Sequence, residues 1–306
     1  MEASITLKNV SKHFQKTYLF SNLNLGIEKG TTFAIVGRNG AGKSVLLKLL
    51  STWMTPDAGS VFILGKEVSQ AVNVSRYIAY LPDSDCHDPW QTGWSNIKYR
   101  ADLIGLDEKD FKDKVLPLIE LFNLNEKLND YPVTYSRGTK RCLNLVLTLM
   151  SDTEILLLDE PTLGLDYQNR WALLQYLLKI KEEKTIVIAS NTFTEIHSIA
   201  DRWIVLEKGV VRFDGTVAKM LSQIEIPFTL ELMLQTPDEQ VARRLRQLSS
   251  VQNVNEYGLM VRGSVRNIND LPDILKQIDL TNIAGINGQT MSVEEFLNQL
   301  LSDEGI

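Results

Sequence analysis

The run Gly37-Arg38-Asn39-Gly40-Ala41-Gly42-Lys43-Ser44 decides how the rest of the chain is read. It follows a short apolar stretch, Phe33-Ala34-Ile35-Val36, and leads into the helix-like Val45-Leu46-Leu47-Lys48-Leu49-Leu50. A bound phosphate needs several backbone N–H groups aimed at it, and glycine lets a loop curl tightly enough at positive φ to supply them. The positive end of the helix that starts there adds to the attraction. Lys43 is then the side chain that reaches the β- and γ-phosphates, and the Ser44 hydroxyl is the oxygen that ligates Mg²⁺. An ordinary glycine-rich turn is the plain alternative. The strand before the run and the apolar helix after it are the context that a nucleotide-phosphate loop demands.

Upstream, Ile5, Leu7 and Val10, then Leu23, Leu25 and Ile27, alternate with polar residues at near period two, as half-buried strands do. The connector Lys12-His13-Phe14-Gln15-Lys16 between them carries one aromatic ring. Downstream, Thr55-Pro56-Asp57-Ala58-Gly59 is a turn by composition, and Ser60–Gly65 and Tyr77–Pro82 read as two more strands. A polar loop from Asp83 to Pro89 opens a different region with helical patterns around Asn96–Leu106, Glu108–Phe122 and Gly138–Met150. Pro117 should kink or split the second of these.

Core-like sequence then resumes. Glu154-Ile155-Leu156-Leu157-Leu158-Asp159-Glu160 is a buried strand ending in two carboxylates, followed by a helix from about Gln168 to Ile180 and strands at Thr185–Ala189 and Asp201–Leu206. Strands alternating with helices imply a mostly parallel sheet covered on both faces. Ligands of such sheets bind at the carboxyl ends of the strands, where Gly37 and Asp159 fall. From residue 225 the pattern becomes strand, helix, two strands, helix, strand and a last helix from Ser292, a small α+β module for which packing or dimer support is the plainest role.

The bulk figures bound the function. A length of 306 residues with 44% hydrophobic composition allows two domains with sizeable cores. No apolar run approaches the roughly 18 residues of a membrane span, and the N-terminus lacks a signal-peptide shape, so a soluble, intracellular chain is expected. Cys86 and Cys142 have no metal-ligand or redox spacing, and three histidines leave little room for a histidine metal site. A net charge of −6 argues against nucleic acid as a partner.

A phosphate loop with Asp159-Glu160 is the minimum for hydrolysing a magnesium nucleotide. Asp159 provides a carboxylate for Mg²⁺ beside Ser44, and Glu160 a base for the attacking water. The pair could alternatively cap a helix. Ser136 suits an N-cap, and the helix after it aims free N–H groups at whatever lies in front, with Gly138 permitting close approach.

At this point the sequence resembles the nucleotide-binding subunits of ABC transporters, from about Ile5 to Leu221. The resemblance rests on GRNGAGKS, on ILLLDE, on Tyr135-Ser136-Arg137-Gly138-Thr139-Lys140-Arg141 before a helix, on Pro161-Thr162-Leu163-Gly164-Leu165-Asp166, and on Ala200-Asp201-Arg202. It implies an α/β P-loop NTPase core with a mostly parallel sheet, an antiparallel β edge and a helical insertion (about 84–150) in an ATPase domain spanning 1–224, with an accessory domain over 225–306. It also implies ATP and Mg²⁺ as ligands, the nucleotide lying on Gly37, Arg38, Asn39, Gly40, Ala41, Gly42, Lys43, Ser44 and Val45. Two ATPase subunits then meet head to tail, and Ser136 and Gly138 close the partner's ATP.

By position Phe14 resembles the ring on which the family stacks adenine; Tyr18 is the alternative, and either could instead belong to the core. Asp83 stands where the family has a glutamine and could hold Mg²⁺ or its water. Asn191 stands where the family has its switch histidine, by counting back from Glu195 and Asp201. It can donate to the γ-phosphate but cannot be cationic, so hydrolysis should be slowed; helix capping is the other role open to it. Tyr135-Ser136-Arg137-Gly138 and the close Ser292-Val293-Glu294-Glu295-Phe296-Leu297 resemble the branch serving exporters of drugs, lipids and polysaccharides. The partner implied is a transmembrane permease subunit, reached through the Asp83 loop and the insertion Gln91–Leu128, with the chain peripheral on the cytoplasmic face of the membrane. A soluble ABC ATPase and a nucleotide switch with little turnover are the rival functions.

Overall fold

The computed structural model describes residues 3–15, 17–68, 74–192, 196–216, 218–219, 228–265 and 268–290. The chain divides into two compact units, Met1–Thr216 and Val217–Ile306. The boundary expected at 224 lies outside the described residues.

The first unit is built on a six-stranded sheet of order β10-β9-β3-β8-β7-β6. Its strands are β3 (Thr32–Val36), β6 (Ile78–Leu81), β7 (Ile155–Asp159), β8 (Thr185–Ser190), β9 (Arg202–Glu207) and β10 (Val210–Gly215). All neighbours pair in parallel except β10, which returns antiparallel to β9 as an edge, at residues the sequence had not marked as a strand. Every residue of β3, β7 and β8 is buried, as the unbroken apolar runs require when both faces are covered.

On one face Phe33, Ile35, Leu157 and Val187 share a core with Leu46, Leu47, Leu49 and Leu50 of helix α1 (Lys43–Leu50) and with Ile5, Leu7, Leu25 and Val61. Those last residues belong to β1 (Ala3–Phe14), β2 (Thr17–Glu28) and β4 (Ala58–Ile63). With the short β5 (Lys66–Glu67) these form a separate antiparallel sheet of order β2-β1-β4-β5. The period-two pattern is visible in its register, which sets Leu7 opposite both Leu25 and Val61.

The helical region contains α2 (Gly93–Leu103), capped by Thr92, and a segmented stretch of α3 (Glu108–Asp110), a π-helical turn (Phe111–Val115) and α4 (Leu116–Leu121). Pro117 sits in the first turn of α4, so its missing N–H falls where the widened turn has already interrupted the ladder. Helix α5 (Arg137–Leu149) packs against β6, and α6 (Tyr167–Ile180) follows β7.

The second unit runs β11 (Phe228–Leu234), α7 (Glu239–Gln247), β12 (Val251–Tyr257), β13 (Met260–Val265), α8 (Leu271–Lys276) and β14 (Ile283–Thr290). Its strands pair antiparallel in the order β12-β13-β11-β14, the split β-α-β connectivity of ferredoxin-like modules. Alternate residues Leu230, Leu232 and Leu234 turn inward against Val241 and Leu245 of α7. The helix expected from Ser292, and the Ser292–Leu297 close with it, lie outside the described residues.

Candidate nucleotide site

Gly37 ends β3 against a wall of backbone. A Cβ placed on it would strike the Leu206 carbonyl oxygen and lie 3.1 Å from Ala41 Cβ. Gly40 and Gly42 hold φ of 82° and 108°, which only glycine adopts cheaply, and between them the Ala41 N–H donates to the Arg38 carbonyl at 3.1 Å. The loop thus delivers the chain into α1, whose N-terminus has no side-chain cap and no acidic residue in its first turn. Its first N–H groups remain for an anion. Because neither Leu206 nor Ala41 can retreat cheaply, Gly37→Ala should cost about 1–3 kcal/mol of stability; a thermal melt without nucleotide checks this, and an unchanged midpoint would contradict the packing described.

The buried ammonium of Lys43 donates to the Gly37 carbonyl at 2.8 Å and lies 3.4 Å from Glu160 Oε1. Glu160 Oε2 in turn accepts from the Asn191 backbone N–H at 3.2 Å. Glu160 sits at φ 46°, a left-handed conformation costly for a glutamate, with its N–H donating to the Ala189 carbonyl at 2.8 Å. Lys43, Glu160 and Asn191 are therefore one connected group. Neither carboxylate caps a helix, since α6 is capped by Asp166.

Asp159 is fully buried, and neither of its carboxylate oxygens has a hydrogen-bond partner. Burial raises its pKa to about 6; the nearby Ser44 hydroxyl acts in the opposite direction, and the Asp83 and Glu160 carboxylates add to the rise. A buried, unpaired carboxylate beside a hydroxyl and a further carboxylate is a hard oxygen set deficient in positive charge, and it fits Mg²⁺.

One cleft of about 620 Å³ brings together Phe14, Asn39, Gly40, Ala41, Gly42, Lys43, Ser44, Val45, Asp83, Glu160 and Asn191, while the fully buried Asp159 is not part of its wall. Leu19, Arg137 and Leu163 complete the wall. Phe14 and Tyr18 are 47% and 66% exposed, so neither is a core residue, and of the two only Phe14 lines the cleft. Thr192 Oγ1 donates to Asn191 Oδ1 at 2.9 Å, while residues 193–195, where a helix capped by Asn191 would begin, lie outside the described residues. Gly37 and Arg38 do not line the cleft; their carbonyls face Lys43.

Ser136 and Gly138 stand outside this cleft. Ser136 caps α5 by accepting the Thr139 N–H at 3.1 Å, and a Cβ on Gly138 would come within 2.7 Å of the Gly164 carbonyl oxygen.

Sequence reasoning missed Arg141 and Asn144 on the same helix. Arg141 is buried and donates to the carbonyls of Pro82, Asp159 and Glu160; Asn144 Nδ2 donates to Asp85, and its Oδ1 accepts from the Cys86 N–H and meets His87 Nδ1. The available signal was a polar stripe, Arg141, Asn144 and Thr148, on a helix otherwise apolar through its buried length.

A phosphate loop at the carboxyl end of a parallel sheet, with a buried carboxylate ending the neighbouring region, defines a P-loop nucleotide-binding domain. The family model described as ABC transporter matches residues 20–163. The Nod factor export ATP-binding protein I of Burkholderia orbicola is 33% identical over 211 residues, covering 68% of this chain and 69% of its own. The linearmycin resistance ATP-binding protein LnrL of Bacillus subtilis is 26% identical over 260 residues, covering 83% of each chain. Among solved structures, an ATP-binding subunit of an ABC transporter superposes with a TM-score of 0.67 at 25% identity, covering 72% of this chain and 92% of that one. The chain belongs to the ABC transporter ATP-binding family.

Proposed function

We propose that the chain hydrolyses MgATP as one half of a head-to-tail dimer and so drives export through a separate membrane-spanning subunit, to which it is attached on the cytoplasmic face. The observation that carries this reading is the single cleft holding the phosphate loop, Asp83, Glu160, Asn191 and Phe14. Lys43 and the N–H groups of the loop take the β- and γ-phosphates, Lys43 exchanging its contact with Glu160 for the nucleotide. Ser44, Asp159 and Asp83 would hold Mg²⁺, which when bound neutralises charge on the phosphates. Glu160, freed from Lys43, accepts the proton of the attacking water. Phe14 offers a ring face to the base. Ser136 and Gly138, at the N-terminus of α5 and outside this chain's own cleft, meet the ATP of the second ATPase subunit.

Export is supported by the relatives whose names speak of Nod factor export and linearmycin resistance. A membrane partner is supported by Trp90, Tyr99 and Tyr131, exposed large side chains on and around the helical region. Among the described residues no helix is long and apolar enough to cross a membrane. Affinity purification of the tagged chain from detergent-solubilised membranes tests this: a polytopic subunit should co-purify, and recovery with ribosomes or DNA instead would turn the reading down.

Asn191 favours a second reading, a switch of low turnover, because a neutral amide stabilises developing charge on the γ-phosphate less than a cation does. Asn191→His should raise kcat with ATP affinity little changed, the ceiling being on the order of 3 kcal/mol. A lower melting temperature with no gain in kcat would assign Asn191 to helix capping instead.

A further inference from the structure

We propose that Arg141 is a positioning residue that fixes Glu160 and the Asp83 loop to helix α5, so that whatever docks at the N-terminus of α5 is felt at this chain's own catalytic carboxylate. The inference rests on the hydrolytic reading above. Its first support is the acceptor set. Nη1 donates to the Pro82 carbonyl at 2.7 Å, immediately before Asp83, and Nη2 donates to the carbonyls of Asp159 and of Glu160, the latter at 2.9 Å. One planar fork thereby joins the ends of β6 and β7, and among the described residues no carboxylate is hydrogen-bonded to it. A buried guanidinium whose hydrogen bonds all go to backbone carbonyls fixes geometry, while the Asp159, Asp83 and Glu160 carboxylates interact with it through charge alone.

The second support is the strain it holds. Glu160 occupies φ 46° with its N–H tied to Ala189 and its carbonyl to Arg141. Such a conformation persists only where the surroundings over-determine it. The Glu160 carbonyl also accepts from the Leu163 N–H at 3.0 Å, so without the guanidinium it loses one of two anchors, the one that ties it to α5, and the carboxylate beside Lys43 and the Asn191 N–H would shift from its place.

The third support is the same face of α5 one turn on. Asn144 Oδ1 accepts from the Cys86 N–H at 3.3 Å, and its Nδ2 donates to Asp85 Oδ1 at 3.2 Å. Helix α5 therefore grips the loop from Pro82 to His87 and the strand end at Glu160 together. Arg141 lies five positions beyond the Ser136 cap, about 7.5 Å along the axis at the usual helical rise. A rigid helix that short transmits a displacement of its first turn with little loss.

Arg141→Lys keeps the charge and most of the volume but, being a point donor, cannot span three carbonyls; Asn144→Ala loosens the same grip and serves if the lysine variant melts early. In Arg141→Lys, kcat should fall by about 10²-fold or more, while the ATP dissociation constant, read by fluorescence of a labelled nucleotide, stays within about threefold of wild type. In a Glu160→Gln background the same substitution should change the residual rate by less than about twofold, because it acts through the carboxylate already removed. A folded Arg141→Lys protein with wild-type kcat would overturn the proposal, as would losses that multiply in the double variant. Wild-type protein without Lys43-dependent hydrolysis would overturn the ATPase reading and this inference with it, an outcome recognisable before any Arg141 variant is made.

Discussion

Lys43→Ala should lower ATP turnover by about 10²–10³-fold, the usual consequence of removing one preorganised donor from a developing anionic charge. Arg137 also lines the cleft, but of the two cations Lys43 alone follows the loop into α1 and is held inward by the Gly37 carbonyl at 2.8 Å. The substitution also strips Glu160 Oε1 of its partner at 3.4 Å, leaving the carboxylate held by the Asn191 N–H. A modest fall in melting temperature should accompany the loss of rate. Phosphate release at saturating MgATP, with a melt of the same preparation, separates the two effects. Wild-type turnover in the variant would mean that the reaction takes place elsewhere.

Glu160→Gln should leave ATP binding close to wild type and cut turnover by about 10²–10⁴-fold, the contribution typical of a general base. The glutamine keeps the shape and can still accept from the Asn191 N–H, so the peptide need not move from its left-handed conformation. With hydrolysis blocked, ATP should hold two chains together, because release of the closed dimer waits on cleavage of the nucleotide it encloses. Size-exclusion with light scattering in MgATP then reads twice the monomer mass. Persistent monomers in the presence of the membrane subunit would count against head-to-tail closure, and with it against a role for Ser136 and Gly138 in trans.

Much of this was legible in the chain because the determinants are local. The phosphate loop is set by glycines within eight residues, and the buried strands β3, β7 and β8 announce themselves as unbroken apolar runs. The amphipathic strands β1 and β2 show their alternation, but periodicity names no neighbour. That they would stand in a sheet of their own, apart from the parallel one, depends on pairings made across the chain. Strand β10 stayed hidden because Lys208-Gly209 interrupts the sequence just where the core appeared to end.

The site divides in the same way. Lys43, Ser44, Asp159 and Glu160 are readable from residue type and spacing. Arg141 is not, since its acceptors are backbone carbonyls 59 and 18 residues away in sequence, and backbone carries no letter. The positive φ of Glu160 is equally silent: a glutamate there is uncommon, and only the folded surroundings impose it. Phe14 was preferred to Tyr18 by position alone, since the two flank the same turn, at the end of β1 and the start of β2; the cleft, which only Phe14 lines, separates them.

That this cleft hydrolyses ATP in a head-to-tail dimer, here tested for pairing of the chain with itself, is checked most directly by the dependence of specific activity on protein concentration. Phosphate release by the purified chain in saturating MgATP should rise more steeply than in proportion to its concentration until dimers dominate, and should vanish in Lys43→Ala. Strict proportionality from the most dilute sample upward, with only monomers present, would contradict the dimeric site; no release above the Lys43→Ala background at any concentration would contradict hydrolysis itself.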